Sequence, residues 1–341
     1  MKNLLLKILL LTTFTYFLQA CSNGDNNQPN PSPLPGSKVQ VAKIEEIIDG
    51  EDQVLKNLLN KVRGSVGKRG PGSKTIWSRK NDYDLGLYIS ANHVISINSW
   101  LSKNAEYFDI TSEDMGIFET SKIPPVNGQV ELENLWVADF PLMHFDISTS
   151  VTNSTILPAE DFYIGIVDNQ RVEPGSLPQW PKPVDTGTPL KMYDPDNRTK
   201  AGQTWNTPNV GENAIALGYP QDVTNFPNGA VSYGKILSDE EAAVKITELQ
   251  AAGDIEGDIP YNPHVEFFLD AQGVAGMSGG GVFNLEGQLL GIMVRASDAE
   301  KAPKIIRVVK VTYIKSKMLG YYNGLSQTGQ EKLRPFISGE L

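Results

Sequence analysis

The sequence predicts an antiparallel all-β fold, a sandwich or barrel, with helical patterning mainly at its two ends. Three observations lead there. Beyond residue 72 the chain is a series of short apolar segments separated by turn residues, clearest at 85–90, 130–137, 162–167, 213–217, 265–269, 288–294 and 305–311. No internal repeat is visible. Once the N-terminal export and tether segments are set aside, about 300 residues remain, enough for one large domain or two barrels sharing a cleft.

The elements follow in order. Residues 1–20 hold Lys2 and Lys7 and then an apolar run over 8–17, too short and too soon followed by polar residues to span a membrane. The run ends in Leu18-Gln19-Ala20-Cys21. This resembles the lipobox of bacterial lipoprotein signal peptides, whose cysteine is lipidated and becomes the first residue of the mature chain. Cys21 is the chain's single cysteine, so no internal disulfide can form and lipidation gives it a role. Residues 21–38 then read as a lipidated cysteine with a polar, Pro/Asn-rich tether too poor in apolar residues to fold. The expectation is membrane attachment through lipid on Cys21 at the bacterial cell envelope. Ser22, in place of a retaining aspartate, points to the outer membrane.

Residues 39–72 read as an N-terminal helical segment. Over 39–66, Ile44, Ile47, Ile48, Leu55, Leu58, Leu59 and Val62 recur at three- and four-residue spacing, and GKRGPG at 67–72 ends the pattern. A first β unit is expected over 73–165, a loop insertion over 166–210 and a second β unit over 211–320. Within the second unit, 238–258 is acidic, opens on a Ser238…Glu241 capping box and reads as a short surface helix. A C-terminal helix over 312–336 carries Tyr313, Met318, Leu319, Tyr322 and Leu325 on its apolar side and runs into the tail at 321–341.

The formal net charge is −10, and −12 without Lys2 and Lys7, with no basic tract to offset it. That speaks against nucleic acid as a partner and against electrostatic binding to an anionic lipid surface. There is no His/Cys cluster and no carboxylate loop of calcium type, so neither a metal nor an organic cofactor is expected.

The chemistry concentrates in Gly276-Met277-Ser278-Gly279-Gly280-Gly281. Glycines allow positive φ, and the turn can aim the amides of Gly276 and Ser278 at one point beside a hydroxyl. A nucleophile flanked by donors for a developing oxyanion is what acyl transfer needs. A base must come from three histidines. His93 ends a predicted strand in Ser90-Ala91-Asn92-His93-Val94, while His144 reads as an accessory or surface residue and His264 as a loop residue. The acid that holds the imidazole in one tautomer is expected at Asp146, between Phe145 and Ile147, with Asp139 as the competitor.

The order His93, Asp146, Ser278 resembles that of the trypsin-like serine proteases. Ser90-Ala91-Asn92-His93-Val94 is similar to their Thr-Ala-Ala-His-Cys, Phe145-Asp146-Ile147 to their aspartate segment, and Gly276-Met277-Ser278-Gly279-Gly280 to Gly-Asp-Ser-Gly-Gly. Ala216-Leu217-Gly218-Tyr219-Pro220 resembles the second-barrel entry of disulfide-free bacterial members. The resemblance implies two six-stranded antiparallel β-barrels, a serine endopeptidase acting on protein or peptide substrates, and His93, Asp146 and Ser278 as the triad. It also implies an oxyanion hole from the amides of Gly276 and Ser278, and a substrate pocket near Gln272, Val294, Arg295 and Ala296. Arg295 would favour an acidic residue before the scissile bond unless it lies exposed at a strand end, and neutral Gln272 disfavours lysine or arginine there. Met277 replaces the aspartate of trypsin's zymogen switch, so activity should not need N-terminal cleavage. Two other readings stay open: a catalytically silent protease-fold protein that binds a peptide or partner, and an esterase with the same triad.

Overall fold

The computed structural model describes residues 41–69, 72–80, 85–95, 138–143, 156–168 and 205–331. The lipidation site, the tether, the strand expected at 130–137, most of the 166–210 insertion, His144 and Asp146 lie outside the described residues.

The chain is mostly β, and its strands form two antiparallel sheets. The first holds β2 (Val66–Arg69), β3 (Gly72–Lys80), β4 (Leu85–Ser90), β5 (Ala138–Met143) and β6 (Tyr163–Asp168) in the order β2-β3-β4-β6-β5. The second holds β1 (Ala42–Lys43), β7 (Asn213–Gly218), β8 (Ala230–Lys235), β9 (Glu266–Leu269), β10 (Gly281–Asn284), β11 (Leu289–Ala296) and β12 (Ile306–Lys310) in the order β1-β8-β7-β10-β11-β12-β9. The described residues thus give a five-stranded and a seven-stranded antiparallel sheet. The second sheet curls until β9 reaches the end of β8. Ile236 bridges Leu269 there, Leu237 N–H donates to Phe268 O (2.9 Å), and Asp270 N–H donates to Lys235 O (2.8 Å). Curling satisfies edge groups that an open sheet would leave to solvent.

The N-terminal segment differs from the single helix that its spacing predicts. After β1 come α1 (Ile44–Asp49) and α2 (Gln53–Val62), separated by Gly50 in extended conformation (φ −72°, ψ 171°). The cause is a local competitor for the helix amides. The Asp52 carboxylate accepts from Val54 N–H (2.9 Å) and Leu55 N–H (3.0 Å), which caps a new helix start. On α2, Leu55, Leu58, Leu59 and Val62 form one buried stripe. They share a core with Tyr88 and Ile89 of the first sheet and with Ile215, Leu217, Phe283 and Leu289 of the second. Each such leucine stabilises the fold by about 1.5–3 kcal/mol relative to exposure.

The acidic insertion behaves as its sequence predicts. Helix α4 (Asp239–Ala251) starts on a capping box, with Glu241 N–H on Ser238 Oγ (3.1 Å) and Ser238 N–H on the Glu241 carboxylate (2.8 Å). It follows α3, the four-residue turn Asn92–Ile95 at the end of β4. The C-terminal helix α5 (Val311–Gly324) begins directly at the end of β12 and buries Val311, Ile314 and Met318. Its ladder breaks at Leu325, whose backbone is extended (φ −71°, ψ 155°), and helix resumes over 327–331, the last of the described residues.

Candidate active site

His93 sits on α3, in the turn that leaves β4. Its ring Nδ1 lies 3.0 Å from Asp161 Oδ1 and 2.9 Å from Asp161 Oδ2, and its backbone N–H donates to Asp161 Oδ1 (3.0 Å). The aspartate side chain is 0% exposed and the histidine 16%. A carboxylate can only accept, so Nδ1 is the ring nitrogen that donates to Asp161 and Nε2 is the one left for another partner. The carboxylate that meets His93 among the described residues is Asp161, whereas Asp146, expected there from the sequence, lies outside them. Asp139 stands on β5, opposite Val167.

Strand register explains the pairing. β4 and β6 are antiparallel with Ser90 opposite Tyr163. The residue three past Ser90 and the residue two before Tyr163 consequently emerge at the same end of the sheet. The first is His93 and the second is Asp161. Neighbours then fix the carboxylate: Asn92 Nδ2 donates to Glu160 O (3.3 Å), Phe162 is fully buried, and its ring meets Tyr313 of α5 edge-on (5.9 Å between centroids, 83° between planes). Tyr313 OH also donates to Ala159 O (3.3 Å), so the C-terminal helix braces the segment that carries the acid. A sequence signal for Asp161 existed: an aspartate directly before the apolar run Phe162-Tyr163-Ile164, itself a predicted strand.

Ser278 lies between two glycines of positive φ, Gly276 at 98° and Gly279 at 86°. A Cβ on Gly276 would fall 2.4 Å from Gln221 N, so only glycine fits. Two carbonyls set the direction of the neighbouring amides. Ala275 O accepts from Gln221 N–H (2.9 Å) and Met277 O from Gly280 N–H (2.9 Å). In a trans peptide the N–H points opposite to its carbonyl, so the amides of Gly276 and Ser278 face away from those bonds. Neither donates a backbone hydrogen bond among the described residues.

Ser73 on β3 is the residue that sequence reasoning missed. It is fully buried and ties the first sheet to the serine loop. Its N–H donates to Ser278 O (2.7 Å), its Oγ donates to Gly276 O (2.8 Å) and accepts from Tyr219 N–H (2.8 Å), and its carbonyl accepts from Ser90 Oγ (2.7 Å). Thr75 Oγ1 adds a bond to Gly279 O (3.0 Å). The histidine turn and the serine loop flank the same stretch of backbone: a Cβ on Gly72 would lie 2.6 Å from Val94 Cγ2 and 3.0 Å from Ser278 O. The turn that carries His93 and the loop that carries Ser278 thus lie against the same stretch of the first sheet, at Gly72 and Ser73.

Residues 190–292 match the family model of a trypsin-like peptidase domain. That stretch includes the Ser278 loop, and it bears out the trypsin-like serine protease resemblance read from the sequence. No curated protein matches the chain significantly. Among solved structures, the Rv3671c protease in its inactive form is 15% identical, covering 80% of this chain and 96% of that one at a TM-score of 0.40. An inactive serine-to-alanine mutant of Rv3671c from M. tuberculosis H37Rv is 14% identical, covering 87% and 98%, also at 0.40. At that score neither likeness bears on fold or function.

The trypsin-like resemblance also named pocket residues, and they fall in different settings. Val294 is buried in the shared core. Gln272 and Ala296 are half-buried, and Gln272 O accepts from Ser232 Oγ. Arg295 is not an exposed strand-end residue. Its Nε donates to both Glu256 oxygens (2.8 and 2.9 Å), and its side chain is 10% exposed. Burial pushes the Glu256 carboxyl above its ordinary range, against the pull of Arg295 and Arg307. His264 is exposed in the turn before β9, its N–H on Asn262 Oδ1 (3.1 Å).

Proposed function

We propose that the protein is a serine endopeptidase that cleaves peptide bonds through an acyl-enzyme. Ser278 attacks the scissile carbonyl, His93 Nε2 takes its proton and returns it to the leaving amine, and Asp161 holds the imidazole and stabilises it when charged. The amides of Gly276 and Ser278 hold the oxyanion, and a single donor of that kind is worth roughly 10²–10³ in rate. The observation that carries this reading is the bidentate approach of buried Asp161 to His93 Nδ1. Two six-stranded barrels, divided as 73–165 and 211–320 about the insertion, belong to the same reading, and the meeting of β8 with β9 supports the second. Lipidation at Cys21, after the 1–20 export segment, would place the enzyme at the bacterial envelope, in the outer membrane.

A fluorophosphonate probe tests the chemistry. The expected outcome is covalent labelling of the wild type, lost in Ser278→Ala and strongly slowed in His93→Ala. A folded wild-type protein that labels no better than Ser278→Ala would instead support a silent peptide-binding role. Incorporation of labelled palmitate into the wild type and not into Cys21→Ala checks the anchor.

A further inference from the structure

We infer that Tyr313 is a positioning residue for the reaction: from the C-terminal helix it sets the Asp161 carboxylate on His93. The inference rests on the endopeptidase reading above. It makes the helix that follows the second sheet responsible for the geometry of the acid–base pair on the first.

Tyr313 grips the acid segment on both sides of the aspartate. Its OH donates to Ala159 O (3.3 Å), two residues before Asp161, and its ring meets that of Phe162, the residue after Asp161, edge-on (5.9 Å, 83°). Phe162 is fully buried and Tyr313 half-buried. Lys317, one helical turn further along α5, holds its ammonium 5.2 Å from the centre of the Tyr313 ring, which steadies the ring in turn. A hydrogen bond on one side and a ring contact on the other resist both translation and rotation of the peptide between them.

The acid segment needs such a brace. Pro158–Glu160 is a single 3-10 turn, with Glu160 N–H on Leu157 O (2.9 Å) and Asp161 N–H on Pro158 O (3.2 Å). Turns of this kind have poorer hydrogen-bond geometry than an α-helix. The task at its end is exacting: His93 Nδ1 lies 3.0 and 2.9 Å from the two carboxylate oxygens, and His93 N–H 3.0 Å from one of them. Such bonds belong below about 3.2 Å, so a shift of roughly 0.5 Å in the turn would loosen all three.

Tyr313 is itself tied to the sheet that holds the nucleophile. Helix α5 begins at Val311, directly after β12, so Tyr313 stands three residues beyond the end of that strand. In the pairing of β12 with β11, Val308 lies opposite Met293. Met293 in turn accepts from Gly279 N–H (2.7 Å) and donates to Gly280 O (2.9 Å), next to Ser278. Ser73 fastens the first sheet to the Ser278 loop, and Tyr313 fastens the second sheet to the Asp161 turn. Two ties in opposite directions put nucleophile and acid in one frame, and orientation of that kind is a large part of what a catalytic group contributes.

The test follows inactivation of the full chain by a fluorophosphonate, resolved into reversible binding and the bonding step. In that step Ser278 Oγ bonds phosphorus, fluoride leaves and His93 takes the hydroxyl proton. Tyr313→Ala should slow bonding by about ten- to a hundred-fold and leave binding within about two-fold. Tyr313→Phe keeps the ring contact, loses only the hydrogen bond and should be about three-fold slow. In an Asp161→Asn background Tyr313→Ala should cost less than about two-fold more, because both changes act through one carboxylate. The proton NMR signal of the hydrogen between His93 Nδ1 and Asp161 should broaden or shift in Tyr313→Ala. An unchanged bonding step in folded Tyr313→Ala, or its full effect in the Asp161→Asn background, would overturn the inference and leave the endopeptidase reading intact. If the alanine variant does not fold, a phenylalanine variant as fast as wild type overturns it equally. A wild type that does not label would overturn both.

Discussion

The two sheets hold their halves of the site by different means. On the second sheet Ser278 is placed by backbone: two glycines of positive φ and the Gly280 N–H bond to Met277 O shape the loop from within, and Ala275 O and Gly280 O hold it to Gln221 and Met293. On the first sheet His93 is placed by a single long-range side chain, an aspartate 68 residues away that reaches it only because β4 and β6 pair in one register. A loop held by its own backbone leaves a mark in composition. A pair held by register leaves almost none.

The comparison can be broken most sharply at the long-range pair. Asp161→Asn keeps the shape but offers Nδ1 a mixed donor and acceptor, and kcat should fall by about 10³–10⁴, whereas Asp146→Asn should change it less than about two-fold. Single-turnover acylation of both variants decides between them. Loss of activity in the second and retention in the first would return the acid role to Asp146.

On the serine side the expected effect is smaller and local. Gly276→Ala places a methyl 2.4 Å from Gln221 N at φ 98°, so the peptide must rotate and one oxyanion donor is lost. The rate should drop by roughly 10²–10³ with little change in KM. Near-normal kcat in a folded variant would show that this amide does not serve the reaction.

Ser73 joins the two halves, and its removal should have an intermediate signature. Ser73→Ala leaves Gly276 O and Tyr219 N–H without their partner, at a cost of about 1–3 kcal/mol seen as a lower Tm. Because the Gly276 carbonyl is then free to turn, kcat should also fall, by about ten-fold, more than KM rises. A lowered Tm with unchanged kcat would confine Ser73 to a structural role.

The smallest expected effect lies away from the reacting groups. Burial raises the Glu256 carboxyl above its ordinary 4.5, so the folded protein retains a proton there that the unfolded chain has released. The contribution of this group to stability therefore declines as pH rises from 4.5 through its folded pKa. Glu256→Gln lacks that slope. Its Tm, compared with wild type at each pH, should move in the variant's favour across that window, and a flat difference would contradict the raised pKa.

By itself the sequence determined whatever local chain geometry controls. The glycine run, the turn after the Leu85–Ser90 strand and the Ser238 capping box each act over a few residues, so residue identity specifies them. It also placed most of the strands of the second sheet. It misjudged the N-terminal segment, where one carboxylate at Asp52 competes for the helix amides. Only the tertiary structure decided that Asp161 meets His93, that Ser73 anchors the Ser278 loop, and that Arg295 is spent on Glu256. Each of those depends on how strands are paired and which loops they bring together. Asp161 lies directly before an apolar run, and it is the register of β4 against β6 that brings it to His93.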